Sequence, residues 1–240
     1  MSNLDIKKFA ESLTRDRRTL EMFRYLVTNS YIRMIQYQNT ASMDADRFEN
    51  EIAAYAEHFC PVTTEDLDRF FETRKWPKKK PGLVIALFDG LRNQYDVMYP
   101  LLEKYGFCGW FFIPAFFIDI PSGKQLSYAQ AHELADICAD EYTDGRYALN
   151  WCEIQELSKH HEICCHTGSH AELQLNASPE MLQHEIVDAK RLIEQHIDRQ
   201  VDVFSWKYGG EYNTSIRTHR YLEEAGYKFI VSSLKIEKIG

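Results

Sequence analysis

Residues 82–90 read GLVIALFDG, an unbroken apolar run closed by an Asp-Gly pair. A strand with one wet face alternates polar and apolar side chains. A continuous run of this length is what a strand covered on both faces requires, as in a parallel sheet layered with helices. GWFFIPAFF (109–117), EICCH (162–166), VDVFSW (201–206) and YKFIVSS (227–233) also read as strands, with IRMIQYQ (32–38) reading as an earlier one. Helical periodicity fills the intervals. Phe48, Ile52, Tyr55 and Phe59 share a face over 42–59, and Thr63 or Thr64 with Asp66 caps a further helix that Pro77 to Pro81 break. A helix over about 95–105 is stopped by Gly106, and NWCEIQELSKH (150–160) reads as another. Ser178-Pro179-Glu180 starts one whose buried stripe is Leu182, Ile186, Ala189, Ile193 and Ile197. TSIRTHRYLEEAG (214–226) reads as the last. Strands alternating with helices define an α/β class, a parallel sheet or a β/α barrel. Ahead of it, residues 3–28 carry Leu4, Phe9, Leu13, Leu20, Phe23 and Leu26 near helical spacing, an N-terminal helical extension over 1–30.

Composition narrows the class. The chain has 240 residues, 45% of them apolar, enough for one large domain. A net charge of −8 argues against nucleic acid as the main partner, since phosphate binding leans on clustered Lys and Arg. The run Lys78-Lys79-Lys80 is short, sits between prolines, and reads as a solvated loop. The opening MSNLDIKKFAESL has no apolar core of a signal peptide, and the chain has no membrane-spanning run. The six cysteines show no paired spacing. The expectation is a cytoplasmic protein with reduced thiols, its oligomeric state open.

In such folds the active-site groups sit just beyond strand C-termini. Asp89, His166 and Tyr208 all fall there. His166 opens HTGSH and His170 closes it. Among nine histidines a close pair arises by chance. The strand-terminal Asp-Gly upstream and KYGG downstream set this pair apart. Two imidazoles and a carboxylate suit Zn²⁺, and three protein ligands leave a position open. The four-residue spacing is read as a helical turn carrying both rings on one face. Cys164 and Cys165 could ligate zinc, but strand neighbours point to opposite faces, and both are read as core. His160 and His161 are read as structural, Trp110, Trp151 and Trp206 as core or as platforms for a sugar ring.

The order of these motifs resembles the polysaccharide deacetylase (NodB-homology) family over roughly 31–234. MIQYQN is similar to its early strand, and VIALFDGLRNQYDVMYPLLEKYG to its first motif and following helix. LNWCEIQELSKHHEICCHTGSH resembles its second motif, His-Ser/Thr-x-x-His, and VDVFSWKYGGEYN its third. LEEAGYKFIVSS resembles the helix and strand that follow. The resemblance implies a distorted β/α barrel, a divalent metal, usually zinc, and hydrolysis of an acetyl group on an acetamido sugar or sugar ester. It implies Asp89, His166 and His170 as metal ligands, Tyr208 as the backbone N–H donor to the oxyanion, and Thr167 as the hydroxyl steadying the histidine turn.

Three positions depart from the family pattern. Phe88 stands where the general base is expected, Ser205 where an arginine orients that base, and Lys207 where a proline is usual. No histidine follows His219. The metal half of the site is present and the acid/base half is replaced. Asp119, Asp144 and Glu211 lie in or near loops as substitute acids, and Lys207 and Trp206 are candidate substrate contacts. The barrel domain spans 31–240, with an excursion at about 121–148 that reads as a substrate lid or decoration carrying Tyr128, Tyr142 and Tyr147. Two functions remain: a metal-dependent carbohydrate deacetylase with an altered base, or a catalytically silent domain that binds a carbohydrate or partner in the same cleft.

Overall fold

A computed structural model describes residues 28, 30–173, 177–208, 217–232 and 235–239. The helical extension expected over 1–30 lies outside the described residues, Thr28 and Ser30 aside. The strands are β1 (Ile32–Tyr37), β2 (Cys60–Pro61), β3 (Gly82–Leu87), β4 (Gly109–Ile113), β5 (Glu162–Cys165), β6 (Val203–Ser205), β7 (Phe229–Val231) and β8 (Ile236–Lys238). The helices are α1 (Ala45–His58), α2 (Thr64–Thr73), α3 (Tyr99–Tyr105), α4 (Ser122–Ala131), α5 (Trp151–Leu157), α6 (Pro179–Leu182), α7 (Ala189–Ile197) and α8 (Arg217–Glu224).

All eight strands join one curled sheet in the order β1-β3-β4-β5-β6-β7-β8. β2 pairs with Gly82 and Leu83, the stretch of β3 below the point where β4 begins its own pairing at Ile85. Every pairing is parallel except β7–β8. Alternation along the strands sorts side chains into two layers. Leu83, Ile85 and Leu87 pack outward against the helices with Ile163, Cys165 and Phe204. Val84, Ala86 and Phe88 point into the barrel with Trp110, Phe112, Cys164 and Val203. Cys164 and Cys165 are both fully buried, one in each layer. All six cysteines are free thiols.

α2 closes the N-terminal end of the barrel. Its start is fixed by a capping box between Thr63 and Asp66. Thr64 donates its N–H and hydroxyl to Glu162 at the foot of β5, 2.9 and 3.0 Å away. The opposite end, at the strand C-termini, is left open to the loops.

Several elements differ from the sequence expectations, among them β2 and a π segment, Gln183–Asp188, between α6 and α7. β4 stops at Ile113 because Pro114 has no N–H to continue the ladder, and Ala115–Phe117 turns as a 3₁₀ segment. The helix before Gly106 opens with a π turn, Gln94–Met98. Pro100 lacks the N–H that would reach back four residues, so the ladder widens there. β8, three residues of mixed charge, was not expected. It returns antiparallel on β7. No helix among the described residues is long and apolar enough to cross a membrane.

Candidate metal centre

β3 delivers Asp89 through a strained exit. Asp89 and Gly90 both adopt left-handed backbone, with φ of 77° and 60°. Gln94, fully buried in the π turn, holds that exit. Its Nε2 donates to the Phe88 carbonyl and to the Gln38 carbonyl, tying the ends of β3 and β1 together.

The His166–His170 stretch is a loop, not a helical turn. Thr167 and His170 have φ of 62° and 60°. Glu185, 5% exposed, holds the loop instead. Its carboxylate accepts from the Gly168 N–H at 2.9 Å, the Ser169 N–H at 2.8 Å and the Ser169 hydroxyl at 2.7 Å. The Phe116 N–H donates to the Gly168 carbonyl at 2.8 Å. A Cβ on Gly168 would lie 2.1 Å from the Phe116 ring. The Thr167 hydroxyl, expected to steady the turn, is buried without a hydrogen-bond partner. Glu185 and the loop backbone hold the turn in its stead.

Asp89, His166 and His170 converge, each offering a ligand atom within 4.8 Å of the others. All three are buried. His166 Nδ1 donates to the Ser205 carbonyl at 2.9 Å and His170 Nδ1 to the His132 carbonyl at 2.8 Å. A carbonyl only accepts, so both Nδ1 atoms carry the proton and both Nε2 lone pairs face Asp89. Burial pushes His166 down to about 3 and lowers His170 as well, keeping both rings neutral. Burial raises the Asp89 carboxyl, opposed by the attraction of His170. Asp89 Oδ1 stands 3.8 Å from His166 Nε2 and 3.6 Å from His170 Nε2, too far for hydrogen bonds. Asp89 Oδ1 is buried with no hydrogen-bond partner. An orphaned carboxylate oxygen facing two unprotonated imidazole nitrogens fits a divalent cation, for which it would be a ligand rather than a cost.

Above the donor set lies a cavity of about 150 Å³ lined by Phe88, His166, His170, Trp206, Lys207 and Tyr208, with Glu133 at its rim. The Phe88 ring stacks on Phe112 at 4.4 Å and meets His166 edge-on at 5.1 Å. Ser205 gives its hydroxyl to the Val231 carbonyl at 2.8 Å. Trp206 is 7% exposed and stacks on His219 at 5.8 Å. Lys207 Nζ donates to the His132 carbonyl and to Glu133. Tyr208 has a left-handed φ of 62° and is 68% exposed. Two substitute acids are engaged elsewhere: Asp119 accepts from Trp151 Nε1 at 2.7 Å, and Asp144 pairs with Arg92. Glu211 lies outside the described residues.

Glu133, Glu185 and Gln94 escaped the sequence reading. Glu185 sits among the polar positions of an amphipathic segment and Glu133 in an unpatterned excursion.

Fold and site together define an open, mostly parallel α/β barrel with an Asp-His-His donor set at its strand C-termini. Comparison with known proteins identifies the class further. The polysaccharide deacetylase family model matches residues 77–230, and the chain belongs to that family. YxkH of Bacillus subtilis (strain 168), assigned by name to the polysaccharide deacetylases, is 26% identical over 159 residues, 65% of this chain. The chain spans about half the length of that curated relative, 47%. Among solved structures, the Streptococcus pyogenes deacetylase PplD in complex with acetate superposes with a TM-score of 0.65 at 18% identity, covering 85% of this chain and 83% of that one. A de-N-acetylase from Aggregatibacter actinomycetemcomitans gives 0.60 at 16% identity, covering 88% and 89%. At these identities the likeness is one of fold.

Proposed function

We propose that this protein is a metal-dependent deacetylase acting on an acetylated sugar or a related amide or ester, with Phe88 in place of the usual general base. One observation carries the reading: the unpartnered Asp89 Oδ1 faces two imidazole nitrogens whose tautomers are set by carbonyls. Asp89, His166 and His170 would hold the ion, and Zn²⁺ suits the set. Such an ion, when bound, polarises an acyl carbonyl and lowers the pKa of water. Tyr208 is assigned the backbone N–H that receives the oxyanion. Trp206 and Lys207 line the cavity and are assigned to the sugar. Six unpaired thiols fit a reducing, cytoplasmic setting, and the substrate is assigned as a sugar-derived small molecule.

The replaced base limits the rate. Phe88 accepts no proton. Glu133 is pinned by Tyr208 and Lys207, which hold its carboxyl below the usual range and make it a weak acceptor. A positioned base contributes roughly 10²–10⁴-fold, so turnover is expected to be slow by that order. The Phe88–Phe112 stack also favours a second reading, a silent domain that binds carbohydrate in the same cavity.

Acetate release from acetamido sugars, sugar nucleotides and sugar esters, with Zn²⁺ present, separates the two. Wild type, Phe88→Asp and Asp89→Ala are compared. Wild-type turnover abolished by Asp89→Ala supports the hydrolase. Silence in all three, with sugar bound by calorimetry, supports the binding domain. Turnover surviving Asp89→Ala refutes metal dependence.

A further inference from the structure

The groups that orient the donor set come from outside the loops that supply it. The excursion after α4 runs along the cleft, and three of its residues, His132, Glu133 and Ala135, touch three separate loops. The His132 carbonyl accepts from His170 Nδ1 at 2.8 Å and from Lys207 Nζ at 3.1 Å. The Ala135 N–H donates to Asp89 Oδ2 at 3.0 Å. Between them Glu133 adopts a left-handed φ of 54°. Its Oε2 accepts from Lys207 Nζ at 2.9 Å and from the Tyr208 hydroxyl at 2.5 Å. The stretch is anchored from behind, where Asn39 Nδ2 donates to the Asp136 carbonyl at 2.6 Å. The far end of the excursion is pinned as well. Gln125, 3% exposed, accepts the Tyr147 and Ala148 N–H groups, and Ala148 bridges to Leu91 beside the Asp89 exit.

We infer that residues 132–135 form a strap that sets metal affinity by orienting His170 and Asp89, with the Glu133–Lys207–Tyr208 contact as its latch. The inference rests on the metal reading above. Glu133 touches none of the three ligands in this network, so its role is positioning. A left-handed glutamate is disfavoured on its own and persists where surrounding contacts over-determine it. Here those contacts are two donors on one carboxylate oxygen. An exposed ion pair alone contributes little, but the Lys207 side chain is only 8% exposed. Removing the carboxylate leaves that ammonium with the His132 carbonyl as its remaining acceptor among these contacts. The strap is then free to relax, taking with it the carbonyl that aims His170 and the amide that aims Asp89. Loss of such outer partners typically weakens metal binding by about 10–100-fold.

The test titrates the metal-free full chain with Co²⁺, read by visible absorption and calorimetry, for wild type, Glu133→Ala and Glu133→Gln. Glutamine removes the charge yet keeps an oxygen able to accept from both donors, so it separates orientation from electrostatic attraction. Expected is about a 10–100-fold loss with a changed absorption band for Glu133→Ala, and affinity within about threefold of wild type for Glu133→Gln. Amide exchange of residues 132–136 in the metal-free protein should be faster in Glu133→Ala, while the far-ultraviolet circular dichroism stays that of wild type. Equal Co²⁺ affinity in Glu133→Ala, or a Glu133→Gln loss as large as that of alanine, overturns the strap alone. Wild-type protein that takes up no Co²⁺ overturns the strap and the metal reading together.

Discussion

Replacing Glu185 by alanine should lower the thermal midpoint of the fold, because the ligand loop hangs on its carboxylate. The carboxylate is 5% exposed and serves three donors in two consecutive residues between the ligands. Gly168 is buried and Ser169 half-buried. Alanine leaves the Gly168 N–H buried without its acceptor, costing about 1–3 kcal/mol. Ser169 can reach water, so its two lost bonds add less, and the total is roughly 2–5 kcal/mol. Relief from burying a charge works the other way, but removing one partner of a satisfied buried network is the costly direction. A domain of this size loses roughly 2–4 °C per kcal/mol, so the midpoint should fall by roughly 4–20 °C. Glu185→Gln keeps the volume and one accepting oxygen while turning an NH₂ toward donors, and should fall in between. Thermal unfolding of the metal-free protein, followed by circular dichroism, reads the shift. A midpoint for Glu185→Ala within about 2 °C of wild type, below the smallest shift that one lost buried acceptor implies, would refute the claim that this carboxylate holds the loop.

Two further outcomes follow from buried groups away from the cleft. Burial holds His161 down to about 4, below its ordinary 6.5. Glu103 stands 3.3 Å away but is 45% exposed and screened by water. The unfolded chain therefore takes up this proton first. The contribution is fully present above about pH 6.5 and is lost as pH falls from there through 4, by up to about 3 kcal/mol. Urea unfolding at pH 7.5 and 4.5 should show a shallower pH dependence for His161→Asn than for wild type, and equal slopes would count against it. Cys138 and Cys152 are exposed while Cys108, Cys164 and Cys165 are buried. Burial also raises the thiols of all three buried cysteines. A thiol reagent should therefore label the first two rapidly and the last three only on unfolding, and rapid labelling of Cys164 would contradict the packing.

The donor set was legible because its signals are local. Asp89 ends an apolar run that only a doubly covered strand explains, and His166 ends another. The loop joining His166 to His170 was not legible. Spacing of four residues suits one helical turn and an irregular loop equally, and the choice falls to Glu185, 15 residues beyond His170 in sequence. Glu133 was hidden for the same reason, its partners lying 74 and 75 residues away in sequence, and one of the two acceptors of Gln94 lies 56 residues away. The N–H that fixes Asp89 comes from 46 residues downstream. Periodicity describes which face a segment buries. It carries no information on which polar groups a distant loop brings to meet it.

The proposed replacement of the general base fits the surroundings of Phe88. Phe88 points into the barrel against Phe112, so a carboxylate there would enter an apolar layer. Ser205, where a cation would steady such a base, has its hydroxyl on the Val231 carbonyl and its own carbonyl on His166. Lys207 is engaged by His132 and Glu133. The donor set shows the opposite pattern. Seven non-glycine residues among those described have left-handed backbone. Two, Arg74 and Asp198, close helices, where that conformation is common. The other five are Asp89, Glu133, Thr167, His170 and Tyr208, all at the donor set or its rim. Each costs roughly 1–2 kcal/mol. To this strain the buried, unpartnered Asp89 Oδ1 adds a further cost. A chain that only needed a packed barrel would gain stability by relaxing them. Their concentration here fits the proposed cation site, where a bound ion would offset both the strain and the orphaned oxygen.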